Sequence, residues 1–311
     1  MKKILLLGGF GFIGSNILKY VDNLQVNPYE IIVFDKFKSH PYGVHFNCIK
    51  KVYTGNFSNI NDIENVLEEN KIDIVLHSLG TTIPITSNDI IFDIESNLLS
   101  TIRLLDLLVK YHIKRMVYIS SGGAVYGHCT PCKKHNENDV PNPISSYGIV
   151  KLTIEKYLYY YSYLYNIETV IFRLSNPYGK YHYNIRQGVI NVAAHSAISS
   201  RVFSVWGDGS ARKDFIFIND FCDILFKLIE VKIPFLLLNV GSGQMLSVNE
   251  ILKAIKHRIP SFVWTYNDRS IIDVQHFELD ISKLLSLIGQ YKFTPFAIGL
   301  EKTIKWIKGL K

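Results

Sequence analysis

Tyr147 and Lys151 stand four residues apart at the head of a run whose apolar spacing predicts a helix from Tyr147 to Tyr165. Side chains at i and i+4 share one helix face. An ammonium group beside a phenol stabilises the phenolate, lowers its pKa and lets the tyrosine exchange a proton with a substrate hydroxyl near neutral pH. The chain has 19 tyrosines, so the spacing alone is weak. Its position just after an Asn-Pro turn, downstream of a glycine-rich opening, gives it weight.

That opening places Gly8, Gly11 and Gly14 between an apolar run, Ile4 to Leu7, and a helically spaced run, Phe12 to Tyr20. Glycines between a strand and a helix permit a tight turn, close approach of backbone to a pyrophosphate, and packing of helix on strand. The helix N-terminus then offers N–H donors to the phosphates. Asp35 ends the next apolar run, 21 residues after Gly14. An acid there accepts hydrogen bonds from the adenosine ribose and repels the extra phosphate of NADP. NAD is therefore the expected cofactor, with NADP as the alternative because Lys36 and Lys38 follow at once. Lys151 can also hold the nicotinamide ribose.

These residues need a scaffold, and the apolar pattern supplies one. Short continuous runs at 4–7, 30–35, 72–77, 115–120 and 169–173 alternate with helical patterns at 12–20, 60–70, 95–112 and 147–165. Such alternation predicts an α/β fold, a Rossmann-type doubly wound parallel sheet covered on both faces. After about residue 176 the pattern becomes irregular, with Trp206-Gly-Asp-Gly209 and Gly241-Ser-Gly243 turns. The expected division is a dinucleotide-binding domain over 1–176, carrying the Tyr/Lys pair, and mainly a smaller substrate-binding lobe over 177–311. Segments of the lobe are allowed to return to the sheet.

Composition excludes several classes. The chain has 311 residues, of which 48% are hydrophobic and 20% charged, as in ordered globular proteins. The net charge of +7 comes from scattered lysines, which suits an anionic small ligand better than nucleic acid. No stretch approaches the roughly 18 uninterrupted apolar residues of a membrane span, and glycines interrupt the N-terminal apolar run too early for a signal peptide. A cytoplasmic enzyme is expected. Cys129 and Cys132 form a CxxC flanked by His128 and His135, but no second pair exists, and the segment reads as a polar loop without a metal. His77, at a strand end, is read as a packed residue; His195, His257 and His276 are assigned no role.

With these blocks in place the chain resembles the extended short-chain dehydrogenase/reductases, and within them the NAD-dependent nucleotide-sugar epimerases and dehydratases. The resemblance rests on GGFGFIG at 8–14, GNFSN at 55–59, VLHSLG at 75–80, SNLLSTIRLLDLL at 96–108, ISSGGAVYG at 119–127, PISSYGIVK at 143–151, FRLSNPYG at 172–179, WGDGSARKDFIFINDF at 206–221, NVGSG at 239–243 and DRSIIDVQHFELDISK at 268–283. It implies that Gly8, Gly11, Phe12, Ile13, Gly14, Asp35, Asn56 and Asn97 contact the cofactor together with Tyr147 and Lys151. It further implies that Asn176, Gln187, Lys213 and Arg269 hold the nucleotide-sugar substrate. A homodimer is implied as well.

The chain departs from the family pattern twice. Where the family carries a catalytic serine or threonine, this sequence has Gly122, which leaves Ser121 as the candidate hydroxyl. Where the family carries an arginine before Asp-Phe, it has Lys213, beside Arg212. Gly123 and Ala124 replace the acidic residues that dehydratases and decarboxylases of the group need. What remains is 4-epimerisation through a 4-keto sugar, with NAD(P)H-dependent reduction of a 4-keto-6-deoxy nucleotide sugar as the alternative.

Overall fold

In the computed structural model, residues 1–82, 89–128, 134–184, 186–268 and 274–310 are described. The first half opens with strand β1 (Lys2–Leu7), helix α1 (Phe12–Asp22) and strands β2 (Tyr29–Asp35) and β3 (Ile49–Thr54). It continues through α2 (Ile60–Glu69), β4 (Ile74–His77), α3 (Ile90–Asp93), a π-helical stretch (Ile94–Leu99) and α4 (Ser100–Lys110). Strand β5 (Arg115–Ser121), the short helix α5 (Gly122–Tyr126), α6 (Ser146–Tyr165) and β6 (Glu168–Leu174) complete it.

The second half contains β7 (Asn176–Tyr178), α7 (Val189–Ile198), β8 (Phe203–Trp206), β9 (Arg212–Phe217), α8 (Ile218–Leu228) and β10 (Phe235–Val240). Then come β11 (Met245–Ser247), α9 (Val248–Arg258), β12 (Trp264–Asn267), β13 (His276–Phe277), α10 (Ser282–Ile288) and α11 (Phe296–Lys308).

Seven strands form one parallel sheet in the order β10-β6-β5-β4-β1-β2-β3. The apolar runs of β1, β4 and β5 are buried on both faces because helices cover both sides. One layer packs Leu6, Ile17, Val33 and Phe221, and the other Leu5, Leu104, Ile154 and Leu158. Strand order reverses between β1 and β4, which opens a crevice at the carboxyl ends of those strands, where doubly wound sheets bind ligands.

Strand β10 belongs to this sheet, so residues 235–240 return from the C-terminal half to extend the dinucleotide-binding layer. The remaining lobe is built on β7, β9, β11 and β13, with the parallel pair β8 and β12 beside them. Its own core includes Tyr178, Phe215, Phe217, Ile251 and Leu300. No helix among the described residues is long and apolar enough to cross a membrane.

Candidate active site

Gly8 has φ +79°, a left-handed conformation that glycine adopts without strain, and a Cβ there would come 3.0 Å from the Leu79 Cα in the loop after β4. At Gly14 a Cβ would fall 2.2 Å from the Gly8 carbonyl oxygen, so α1 can lie this close to the turn only without a side chain. Gly11 is the N-cap of α1; no side chain caps the helix and no acidic residue stands in its first turn. The N–H groups at Phe12, Ile13 and Gly14 and the positive end of the helix dipole are thus left to an anion. This cradle fits a dinucleotide pyrophosphate.

Asp35 is buried at the end of β2, and its carboxylate holds the glycine turn. Oδ2 accepts from the Phe10 N–H at 2.9 Å and Oδ1 from the Phe37 N–H at 3.1 Å. A carboxylate retains acceptor capacity beyond these two bonds, so the ribose role and the turn-holding role are compatible. Lys36 and Lys38 are exposed. Asn56 is exposed too, its Oδ1 accepting from the Ser58 N–H at 3.0 Å.

Asn97 lies in the π-helical stretch, a geometry that recurs at functional sites. Its amide binds the loop after β4: Oδ1 accepts from the Thr81 N–H at 3.0 Å and Nδ2 donates to the Thr81 hydroxyl at 2.6 Å. It therefore shapes the wall of the crevice facing Gly8.

Across the crevice, the Ser145 side chain caps α6 by accepting from the Gly148 N–H at 3.1 Å. A Cβ on Gly148 would lie 2.3 Å from the Ala124 carbonyl oxygen, so this glycine lets α6 settle against α5. That approach brings Tyr147 to Ser121, which ends β5. The Ser121 side chain stands close enough to the phenol to lower its pKa, but burial dominates and pushes Tyr147 up to about 12. Asp93 raises it further. The sequence pattern predicts a lowered phenol pKa; desolvation outweighs that effect here.

Lys151 is buried, donates from Nζ to the Ile119 carbonyl at 2.9 Å, and lies 5.8 Å from the centre of the Tyr147 ring. Burial lowers its pKa to about 8 while Glu155 raises it. Room for the missing family hydroxyl at Gly122 is tight: a Cβ would lie 3.0 Å from Phe277 and 3.2 Å from Leu279, both fully buried, so these side chains would have to give by a few tenths of an ångström.

The substrate-side candidates are spread over the lobe. Asn176, on β7, donates to the Asp214 carbonyl at 2.8 Å. Gln187 is exposed just before α7. On β9, Arg212 is committed to Glu250 at 3.0 Å and to the Met245 carbonyl at 3.0 Å. Its neighbour Lys213 projects from the opposite face of the strand, as the pleat requires. Arg269, Cys129 and Cys132 lie outside the described residues. His77 is packed edge-on between Phe57 and Tyr118, and burial lowers its pKa to about 3. Burial lowers the His195 pKa, and the His182 backbone raises it.

Two features escaped the sequence reading. One is the buried quartet in which Glu155 receives Ser120 at 2.6 Å and Arg173 at 2.7 Å, while Arg173 also donates to the Tyr126 hydroxyl at 2.8 Å. Glu155 follows Lys151 by four residues, so it was visible as a member of the same helix face. The other is an open cleft of about 750 Å³ lined by Trp206, Gly207, Asp208, Tyr266, Asn267 and Asp268. Two aromatic rings at a glycine turn were its only sequence signal.

Oxidation of an alcohol takes a hydride from the carbon and a proton from its hydroxyl oxygen, and a dinucleotide cradle beside an acid–base pair is the arrangement that nicotinamide-dependent α/β enzymes use for it. The chain matches the profile of the NAD dependent epimerase/dehydratase family over residues 4–241, and it belongs to that family. A putative UDP-glucose 4-epimerase of Methanocaldococcus jannaschii is 30% identical, with 98% of each chain covered. A dTDP-4-dehydro-6-deoxyglucose reductase of Escherichia coli is 26% identical over 98% of this chain and 97% of its own. The crystal structure of a Thermotoga maritima UDP-glucose 4-epimerase with UDP-glucose superposes with a TM-score of 0.90 at 24% identity, covering 99% of both chains.

Proposed function

We propose that the protein is an NAD-dependent nucleotide-sugar 4-epimerase that works through a 4-keto sugar. The observation that carries this reading is the Ser121–Tyr147–Lys151 cluster facing the glycine turn across one crevice. Tyr147 takes the proton of the C4 hydroxyl as that carbon is oxidised and returns it when the carbon is reduced on its other face. Ser121 holds the phenol oxygen in place, and Lys151 supplies positive charge beside the ring. NAD, when bound, supplies the acceptor and then the donor of the hydride. Gly8, Gly11, Phe12, Ile13, Gly14, Asp35, Asn56 and Asn97 form its side of the crevice in this reading.

Asn176, Gln187, Lys213 and Arg269 are assigned to the nucleotide diphosphate, for which a guanidinium and an ammonium are suited partners. Tyr147→Phe removes the only group assigned to move the hydroxyl proton. It should abolish interconversion of C4-epimeric nucleotide sugars, and retention of full activity would refute the reading.

A second reading is favoured by the similarity to the E. coli reductase: one-way reduction of a 4-keto-6-deoxy nucleotide sugar on the same cluster. An absorbance assay separates the two, since a reductase consumes reduced cofactor in proportion to product. We also infer a cytoplasmic homodimer, in which a second copy covers the exposed Tyr157, Tyr160, Tyr163 and Leu164 of α6. Solution mass at micromolar concentration tests the dimer.

A further inference from the structure

Lys151 has to keep its charge in a place that disfavours it. Its side chain is almost fully enclosed, and its one hydrogen-bond acceptor among the described residues is the neutral Ile119 carbonyl. The nearby carboxylate, Glu155, is already engaged by three hydrogen bonds from Arg173 and one from Ser120. Burial keeps His77 on β4 neutral, and Tyr147 and Asp93 stand in the same corner among the described residues. Two rings remain against the ammonium, Tyr118 of β5 with its centre 4.6 Å from Nζ and the more distant Tyr147 at 5.8 Å, so the nearer contact is Tyr118.

We propose that Tyr118 is a positioning residue for Lys151, and that the face of its ring, not its hydroxyl, holds the lysine in its charged form against the Ile119 carbonyl. Tyr118 is wholly buried, and His77 packs edge-on to it at 5.3 Å, so the ring is fixed. Its hydroxyl is buried without a hydrogen-bond partner among the described residues. A hydroxyl in that situation costs stability, whereas the electron-rich ring face attracts a desolvated cation more strongly than it would in water. Burial lowers the Lys151 pKa to about 8 while Glu155 raises it, so any further contact that favours the ammonium moves its titration upward.

The catalytic meaning of this contact rests on the reading of Lys151 as the partner of Tyr147; the contact itself is tested without turnover. Lysine labelled with 13C at Cε is titrated by NMR in the full chain, and the Lys151 signal is assigned by its loss in Lys151→Arg. Position 118 carries in turn Tyr, Phe, Phe with one, two and three ring fluorines, and Leu. The fluorinated rings keep the shape and drain the ring face of electron density. Tyr118→Phe should leave the Lys151 titration in place. The fluorines should lower it stepwise, by about one pH unit at the third, and Leu should match the end of the series. A titration that stays constant across the fluorine series overturns the proposal. An enzyme that turns over no nucleotide sugar would instead sink the functional reading and leave this titration to stand on its own result.

Discussion

Arg173 grips Glu155 through three hydrogen bonds of 2.7, 3.1 and 3.2 Å, with both side chains sealed from water. Glu155 lies one helical turn beyond Lys151 and two beyond Tyr147, while its other partner, Ser120, precedes Ser121 on β5. The pair thus pins the face of α6 that carries Tyr147 and Lys151 to the carboxyl ends of β5 and β6. It fixes the spacing of Tyr147, Lys151 and Ser121, the residues assigned to the chemistry in the proposed function.

Breaking this pair leaves a buried charge without compensation. Arg173→Met should lower unfolding stability by about 3–5 kcal/mol. Pairing it with Glu155→Leu should recover most of that loss, because no lone carboxylate then remains inside. Urea denaturation of both variants decides the matter, and a single variant as stable as wild type would contradict the role given to the pair.

Ser121→Ala removes the hydroxyl whose influence on Tyr147 opposes the effect of burial. The phenol, already pushed up to about 12, should rise further. Because the phenol must lose its proton to take one from substrate, the activity limb that depends on it should shift to higher pH. Hydrogen bonds to charged groups contribute about 1.5–3 kcal/mol, so turnover at neutral pH should fall roughly 10- to 100-fold. Ser121→Thr, which keeps a hydroxyl, should retain most of it. A pH–rate profile for the three forms is the measurement.

Gly122→Ser restores the hydroxyl found in relatives of the pattern but should not rescue Ser121→Ala. Its Cβ would meet Phe277 at 3.0 Å and Leu279 at 3.2 Å. Overpacking of this kind costs about 1–3 kcal/mol. Adding Phe277→Leu should relieve part of that cost, which thermal melts would register. A fully stable Gly122→Ser enzyme with normal activity would show that the Phe277 contact does not exclude a side chain there.

Lys151→Met should inactivate the enzyme and stabilise its fold. Burial lowers the Lys151 pKa from 10.5 to about 8, so between those values the unfolded chain binds more protons and stability rises with pH. Below pH 8 the folded protein bears the full cost of the buried charge. Removing that charge should therefore add about 1–3 kcal/mol at pH 7, a gain that shrinks as pH climbs from about 8 towards 10.5. Denaturation midpoints for wild type and variant across this window give the test.

Much of this site was legible because its signals are local. The glycine turn, Asp35 and the Tyr147–Lys151 spacing each report a backbone or helix-face requirement within a few residues. Strand β3 was not visible, because Lys50 and Lys51 interrupt its apolar pattern and it lies at the sheet edge. The single helix expected over 95–112 is a π-helical stretch followed by α4, a change of hydrogen-bond register that leaves no distinct spacing in the residues. Arg173 meets Glu155 from another strand, so only packing could pair them. The high phenol pKa of Tyr147 likewise depends on burial, which spacing does not report.

The central claim is that one crevice oxidises and re-reduces the same carbon. A nucleotide sugar with hydrogen at C4, incubated in heavy water with enzyme and catalytic NAD, tests it most directly by proton NMR. The account predicts that the C4 epimer accumulates to equilibrium with the C4 hydrogen retained and no net change in reduced cofactor. Absence of any C4 epimer across UDP-, dTDP- and GDP-sugars, or consumption of reduced cofactor in step with product, would contradict it.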